Sequence, residues 1–408
     1  MPDHRMPMPT PRLLLTAIAL LPLMLIFPAC ASQTTAAFDP LGEYCVELQP
    51  GDLGLSQLGP GQAWPDFSIG WQHREELGEA CQNSLDYLAH PSSKEYFPYG
   101  TITHDLMRRS VTRFQELLET SDSAESFLAG LTQEFQVWMA RGRQNSGDVL
   151  FTGYGTPIYN GSLTQTARFP FPLYALPDDL VKDKKGNILG RRTQGNQMVP
   201  YFTHGELRQN THLRGQEIVW LETEYDCYNA MVQGSAIINL AGGKRIEIGY
   251  AGNNGHDYAS IGAYLIDSGK LRKSELSATR LRQYFTDHPA AVSEVFPKNP
   301  RFIFFQKFEG GPYGCLGQPV TAMHSLATDK DIFPRAAVVY CEVRLPDFDD
   351  NGKQIMRPTR FFALDQDRGG AILSAGRCDV FMGLGEEAMR RAGHVLSRGR
   401  MYYLFLKN

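Results

Sequence analysis

The chain has 408 residues, 42% of them hydrophobic and 21% charged, which is enough apolar content to bury a core and excludes wholesale disorder. With 40 basic against 44 acidic side chains and a net charge of −4, it lacks the basic balance of a dedicated nucleic-acid binder, and no nucleic-acid partner is expected. Its 39 glycines, 25 prolines, 23 phenylalanines and 18 tyrosines point to many turns and short strands, and its length to two or three domains.

At the N-terminus, Arg5 and Arg12 precede an apolar run from Leu13 to Phe27 that ends in Pro28-Ala29-Cys30. A basic segment, a short apolar segment and a small residue at the cleavage point make a secretory signal. The run is too short to span a membrane comfortably, and Pro22 interrupts it. A cysteine at this position resembles a bacterial lipobox, so residues 1–30 are read as a lipoprotein signal peptide and Cys30 as the lipidation site. The alternative is ordinary cleavage after Ala29 or Ala31. Ala31 after the cysteine resembles outer-membrane sorting. Residues 31–60, weakly patterned and containing Pro and Gly, read as a tether. Export permits disulfides among Cys45, Cys81, Cys227, Cys315, Cys341 and Cys378. Their wide spacing, without C-x-x-C, and the lack of H-E-x-x-H give no metal site.

From Trp71 to Leu88 and from Ile102 to Ala140 the pattern is helical: Phe114, Leu117 and Leu118, then Phe127, Leu131, Phe135 and Trp138, recur at spacings of three and four. Ser123 or Ser126 caps the second helix. After Gly147 strands take over: Asp148 to Tyr154, Glu217 to Leu221, Ser235 to Asn239 and Arg245 to Tyr250. The charged stretch Lys182 to Arg192 reads as a solvated hairpin tip. Helical spacing returns at Ile261 to Ser268 and Ser274 to His288. Strands resume at Arg301 to Phe305, Ala336 to Val343, Arg360 to Leu364 and Met401 to Phe405.

One constellation carries chemistry. In Leu364-Asp-Gln-Asp-Arg-Gly-Gly-Ala-Ile372 an expected strand ends at carboxylates, and two glycines allow close approach. A carboxyl group at such a mouth, backed by an apolar wall, can have a raised pKa and act as a general acid. Asp379 follows after a turn and can return near Asp367.

These segments together resemble the MltA family of lytic murein transglycosylases. Phe151-Thr-Gly-Tyr-Gly-Thr-Pro157 is similar to F-T-G-Y-Y-x-P, and Phe169-Pro-Phe-Pro-Leu-Tyr174 to F-P-x-P-L-Y. Gln233-Gly-Ser235, Gly249 to His256 and Ser260-Ile-Gly262 resemble Q-G-S-G and Y-A-G-x-N-G-H-x-Y-x-S-I-G. Asn299 to Phe305 is similar to N-P-S-Y-V-F-F. Asp367 through Leu404 fits D-x-G-G-A-I…D-x-F-x-G-x-G…G-x-x-Y-x-L.

The resemblance implies a mainly β fold of two β-barrel domains separated by a deep groove, with helices in the N-terminal part. A double-psi barrel would be built from 61–158 plus 298–408, and a second barrel inserted at 159–297. It implies cleavage of the β-1,4 bond between N-acetylmuramic acid and N-acetylglucosamine in peptidoglycan, leaving 1,6-anhydromuramic ends without metal or cofactor. It places the catalytic carboxyl at Asp367. Asp365, two residues earlier on the same face if the strand continues, is an ambiguity of this chain. Asp379 is assigned a supporting role, orienting groups or raising the pKa of Asp367 by like charge; its alternative is turn capping. Thr152, Tyr154, Gln233, Ser235 and Tyr250 are the candidates for gripping sugar hydroxyls and N-acetyl groups. Gly155 stands where a second Tyr is usual, which reads as thinning one groove wall. Met323-His324 replaces a frequent Gly-Arg, and His324 reads as a satisfied histidine. The implied partners are glycan strands, the membrane through the lipid anchor, and wall synthesis or remodelling complexes. Two other functions fit the sequence: a non-catalytic peptidoglycan-binding lipoprotein, and a hydrolase using Asp367 and Asp379 as a pair.

Overall fold

Strands from distant parts of the sequence are joined into one ring. The structure, a computed structural model, describes residues 44, 48, 52–59, 61–183 and 188–407; Cys30, Cys45 and the expected signal peptide lie outside them. Val149–Thr156 runs parallel to Arg377–Leu384, which lies antiparallel to Ser325–Ala327. That short strand runs parallel to Gln354–Asp367, and Val338–Phe348 then Leu396–Leu406 lead antiparallel back to Val149–Thr156. These six strands form a closed barrel. Its parallel pairs cannot be made by hairpins and require long crossovers, which is why its segments are far apart in the chain.

Leu396–Leu406 is long enough to serve two partners on one edge. Its first residues pair with Val149–Thr156, while Tyr402 to Leu406 pair with Met139 to Phe135. Helical spacing therefore ends earlier than the sequence implies. The helices are Arg74–Ala89, His104–Thr120 and Ala124–Glu134, the last capped by Ser123, and Phe135–Ala140 is a strand with Phe135 and Val137 turned into the core. The aromatic positions fit either period; the open edge of Leu396–Leu406 decides for the strand. The expected tether also joins the body, because Leu55–Gln57 pairs with Ala140 to Trp138 and the buried Tyr44 donates its hydroxyl to Asp148.

The chain leaves this barrel at Pro157. In the second sheet Ile303–Phe308, Arg245–Asn253, Ser235–Asn239, Ile158–Ser162, Glu217–Leu221 and Phe171–Tyr174 pair in that order, and a bridge from Ala175 to Phe305 joins the last strand to the first. This sheet runs past residue 297, where the sequence reading ended the insert. The reason is the aromatic run Phe302 to Phe305: Phe305 enters the second barrel's core, while Phe302 and Phe304 pack with Tyr201 and Leu207 behind it. Leu180–Lys182 and Ile188–Arg192 pair as a hairpin, as the charged stretch implied, with its tip outside the described residues.

The N-terminal helices cover one side of the first barrel. Phe362 is the hub of the contact, with ring centroids 4.8 Å from Tyr340, 5.0 Å from Phe114 and 5.5 Å from Phe67. Export would permit disulfides, but the described cysteines form none. Cys81, Cys227, Cys315, Cys341 and Cys378 are free thiols, and all but Cys315 are buried. Cys81, Cys341 and Cys378 sit in the first core and Cys227 in the second, where they pack as small apolar side chains. Cys378 therefore forms no bridge beside Asp379. Because Phe362 touches both helix and barrel rings, Phe362→Ala is expected to cost about 3–5 kcal/mol. Urea unfolding with an unchanged m-value checks this; a loss below about 1 kcal/mol contradicts the hub.

Candidate active site

A groove of about 1450 Å³ lies between the two sheets, lined on one side by Thr152, Tyr154, Asp367 and Asp379 and on the other by Ser235, Tyr250 and Gln306. Strand register explains the first side. Ala327 pairs with Asp367 on one neighbour and with Asp379 on the other, and Asp379 pairs with Thr152. The four residues form one row across four strands, and all four line the groove. Two strand spacings separate the carboxylate-bearing backbones, roughly 10 Å.

The pairing of Ser325–Ala327 with Gln354–Asp367 slips by one residue, since Leu326 faces Asp365 but Ala327 faces Asp367. The extra residue is Gln366, a bulge that re-aims its neighbours. Gln366 turns outward and donates to Ala80 O (2.7 Å) and Ser84 Oγ (3.0 Å) on the first helix. Asp365 points into the barrel, fully buried, where it pairs with Lys330 and accepts from Tyr403 Oη (2.7 Å) and Thr328 Oγ1 (2.8 Å). Asp365 does not line the groove. Asp367 does. Its Oδ1 accepts from the backbone N–H of Cys315 (2.9 Å) and of Arg368 (2.8 Å), and its Oδ2 from Tyr154 Oη (2.8 Å).

Burial raises the pKa of Asp367, against the opposing pull of the Arg368 amide, the Tyr154 hydroxyl and the Cys315 amide. Asp379 is also raised by burial, with the Thr152 hydroxyl and the Arg377 charge pulling it down. Desolvation is the largest cause of the shift at Asp367, ahead of any like-charge effect of Asp379 expected from the sequence. Thr152 Oγ1 accepts from Arg377 (3.1 Å), and Asp379 Oδ1 has no hydrogen-bond partner among the described residues.

The other expected residues also gather here. Gln233 ends the helix Glu224–Gln233, and its Oε1 accepts from Gly155 N (3.1 Å). Gly234 takes φ +78°, the left-handed turn that glycine adopts most readily, and sends the chain into the Ser235–Asn239 strand. Ser235 Oγ lies 2.9 Å from Thr156 Oγ1, and the exposed Tyr250 hydroxyl accepts from Asn253 (2.6 Å). Sequence reasoning missed Arg301, Arg368, Arg377, Tyr258 and Cys315 in the lining. Arg301, whose guanidinium lies against Gly370 and donates to His256 O (2.9 Å), sat inside a motif already noted, which was its only signal.

Comparison with known proteins bears on this geometry. The MltA specific insert domain matches residues 150–306, and the 3D domain matches residues 324–405. The membrane-bound lytic murein transglycosylase A of Escherichia coli K12 is 31% identical over 270 residues, covering 65% of this chain and 68% of that protein. The chain belongs to the MltA family. The Vibrio cholerae relative of the same name is 30% identical over 272 residues, covering 65% of this chain and 68% of its own length. The crystal structure of E. coli MltA with bound chitohexaose has a TM-score of 0.67 at 25% identity, over 88% of this chain and 98% of that one. A membrane-bound lytic murein transglycosylase from Agrobacterium tumefaciens shares the fold with a TM-score of 0.69 at 24% identity, over 86% of this chain and 98% of its own.

Two departures from the MltA pattern now have a physical reading. Gly155 does not thin the groove wall: a Cβ there would meet Gly383 O at 3.0 Å and Met389 Sδ at 3.3 Å, on the side away from Tyr154. Met323 holds φ +63°, a conformation that favours the glycine usual at this position in the family. His324 is buried, with Nδ1 2.8 Å from Phe362 O, and burial pushes its pKa down. Among the described residues, the group of side chains spaced to hold a metal ion is His73, Glu76 and His324, and none of them lines the groove.

A carboxyl whose pKa is raised by folding contributes stability below its unfolded pKa, and that contribution is lost as pH rises through the folded value. Above the unfolded pKa, wild-type protein therefore carries the cost of desolvating the Asp367 carboxyl, which Asp367→Asn removes. The variant is expected to unfold at higher urea than wild type at pH 7, with the gap shrinking as pH falls toward about 4. Urea midpoints at both pH values check this; a gap that is absent or independent of pH contradicts it.

Proposed function

We propose that this chain is a lytic transglycosylase that cleaves the β-1,4 bond between N-acetylmuramic acid and N-acetylglucosamine in peptidoglycan and leaves 1,6-anhydromuramic ends. The observation that carries this reading is Asp367, a half-buried carboxyl of raised pKa on the groove floor, hydrogen-bonded to Tyr154. In its neutral form Asp367 protonates the leaving glycosidic oxygen as an oxocarbenium-like state develops. The carboxylate then accepts the proton of the muramic C6 hydroxyl as that oxygen attacks C1. Because the nucleophile belongs to the sugar, proximity replaces an activated water and one carboxyl suffices. A hydrolase of either stereochemistry needs a second carboxylate to handle water or a covalent step.

The three donors around Asp367 favour its charged form and so suit the second half of the cycle, while burial favours the neutral form needed for the first. Asp379 is assigned a supporting role through Thr152, which shares its hydroxyl with Arg377. Thr152, Tyr154, Gln233, Ser235 and Tyr250 are assigned to the glycan, and the Arg301 and Arg368 charges suit its acidic substituents. The chitohexaose held by E. coli MltA supports a glycan in this groove. We further assign the two sheets to a discontinuous barrel domain, which the sequence placed at 61–158 with 298–408, and an inserted one; because Ile303–Phe308 pairs in the inserted sheet, the return to the first barrel is assigned after Phe308. From the sequence we assign the chain to the outer membrane, facing the periplasm, anchored through acylated Cys30 and working beside wall synthesis or remodelling complexes. No helix among the described residues is long and apolar enough to cross a membrane.

Digestion of purified glycan strands with mass analysis of the new ends tests the reaction. Anhydro ends are expected; reducing ends would assign Asp367 and Asp379 to a hydrolase, and intact strands a binding role. Asp367→Asn is expected to lose at least about 100-fold in turnover, whereas Asp365→Asn, which leaves Lys330 buried without its partner, is expected to cost about 3–5 kcal/mol of stability. Loss of turnover in a stably folded Asp365→Asn alone contradicts the assignment. Tyr154→Phe removes a bond to the charged form of Asp367, so the basic limb of the pH–rate profile is expected to move to higher pH. A Cys30→Ala chain is expected in the soluble periplasmic fraction instead of the membrane fraction.

A further inference from the structure

We propose that His73, Glu76 and His324 form a binding site for a divalent transition-metal ion, Zn²⁺ above all, apart from the groove. His73 ends the short 3₁₀ turn Ser68–His73, Glu76 lies in the first turn of the helix Arg74–Ala89, and His324 immediately precedes the Ser325–Ala327 strand. One ligand atom from each lies within 4.8 Å of the others.

The chemistry of His324 points to a ligand. Its Nδ1 is 2.8 Å from the carbonyl oxygen of Phe362. A carbonyl oxygen only accepts, so Nδ1 carries the proton and Nε2 keeps its lone pair. A metal-bound histidine is commonly held in this way, with one ring nitrogen donating to a backbone carbonyl and the other left for the ion. His324 is buried, while His73 and Glu76 are exposed. The side chains of His73 and Glu76 make no hydrogen bond or ion pair with any described residue, and the ring of His73 lies 6.0 Å from that of His324.

Zinc bound tetrahedrally at about 2.0 Å holds neighbouring ligand atoms roughly 3.3 Å apart. Closing from within 4.8 Å therefore needs only a modest rotamer shift, and the two exposed side chains are the ones able to make it. Two imidazoles and one carboxylate suit Zn²⁺ and leave its fourth position to water. The sequence hides such a site because the helical pair, three residues apart, meets its third ligand from the far end of the chain.

The ion would fasten the start of the Arg74–Ala89 helix to the segment entering Ser325–Ala327. The same helix receives Gln366 at Ala80 and Ser84. Both attachments brace the strand pair that presents Asp367, and the site adds a cross-link that does not enter the reaction.

Isothermal titration of the whole chain with ZnCl₂ tests this. One equivalent is expected to bind with Kd below about 0.1 mM, with a matching rise in Tm. His73→Ala and Glu76→Gln, both at exposed positions, are each expected to weaken binding at least about tenfold. Co²⁺ substitution is expected to give visible bands without sulfur-to-cobalt charge transfer, which separates this site from the free thiols. Absence of saturation at that concentration, a thiolate band, or undiminished binding in the double variant H73A/E76Q overturns the proposal.

Discussion

Between Leu326 and Ala327 the pairing with the Gln354–Asp367 strand slips by one residue, and most of the site's geometry depends on that slip. Without it Asp365 and Asp367 would share one face of one strand. With Gln366 bulged outward, one strand serves three environments. Asp365 closes a buried network with Lys330, Thr328 and Tyr403. Gln366 fastens the barrel to the first helix. Asp367 opens into the groove. The first two attachments hold the backbone immediately before the third, so the carboxyl is presented by a strand end that is fastened on its N-terminal side.

Around Asp367 two electrostatic effects oppose each other. Desolvation raises its pKa, and donors from Arg368, Tyr154 and Cys315 lower it, with burial the larger. In the proposed cycle the group gives a proton and then takes one, so burial favours the form needed first and the donors favour the form needed second. Ala327 also matters. It is the small residue between Asp367 and Asp379 in the strand row, and it lines the groove between them.

Much of this was legible in the sequence, and the particulars show why. The strand Arg245–Asn253 begins by alternating polar and apolar residues, Arg245-Ile-Glu-Ile248, so its period is visible in the sequence. Ser123 announces its cap through a local hydrogen bond. Phe135–Ala140 was misread because its aromatic spacing fits both periods and its partner strand lies at the other end of the chain. Cysteine counting left pairing open for a related reason: a cysteine packed as an apolar side chain looks the same in sequence as one awaiting a bridge. Overall charge was a poor guide to the groove, where Arg301, Arg368 and Arg377 gather although the chain is net negative.

The sequence by itself determined the family pattern, the strand-rich texture and the identity of the residues that meet in the groove, from Thr152 and Tyr154 to Gln233, Ser235, Tyr250, Asp367 and Asp379. The texture follows from local spacing and the groove residues from short motifs that resemble the family's, both of which are properties of neighbouring residues. Only the tertiary structure decided which of the two carboxyls Asp365 and Asp367 faces the groove, that burial is the largest cause of its raised pKa, and that His324 meets His73 and Glu76. Each of those depends on register between strands, or on contacts between elements, separated by tens to hundreds of residues. No local pattern records the pairing of such distant segments, because barrel closure and helix packing fix it.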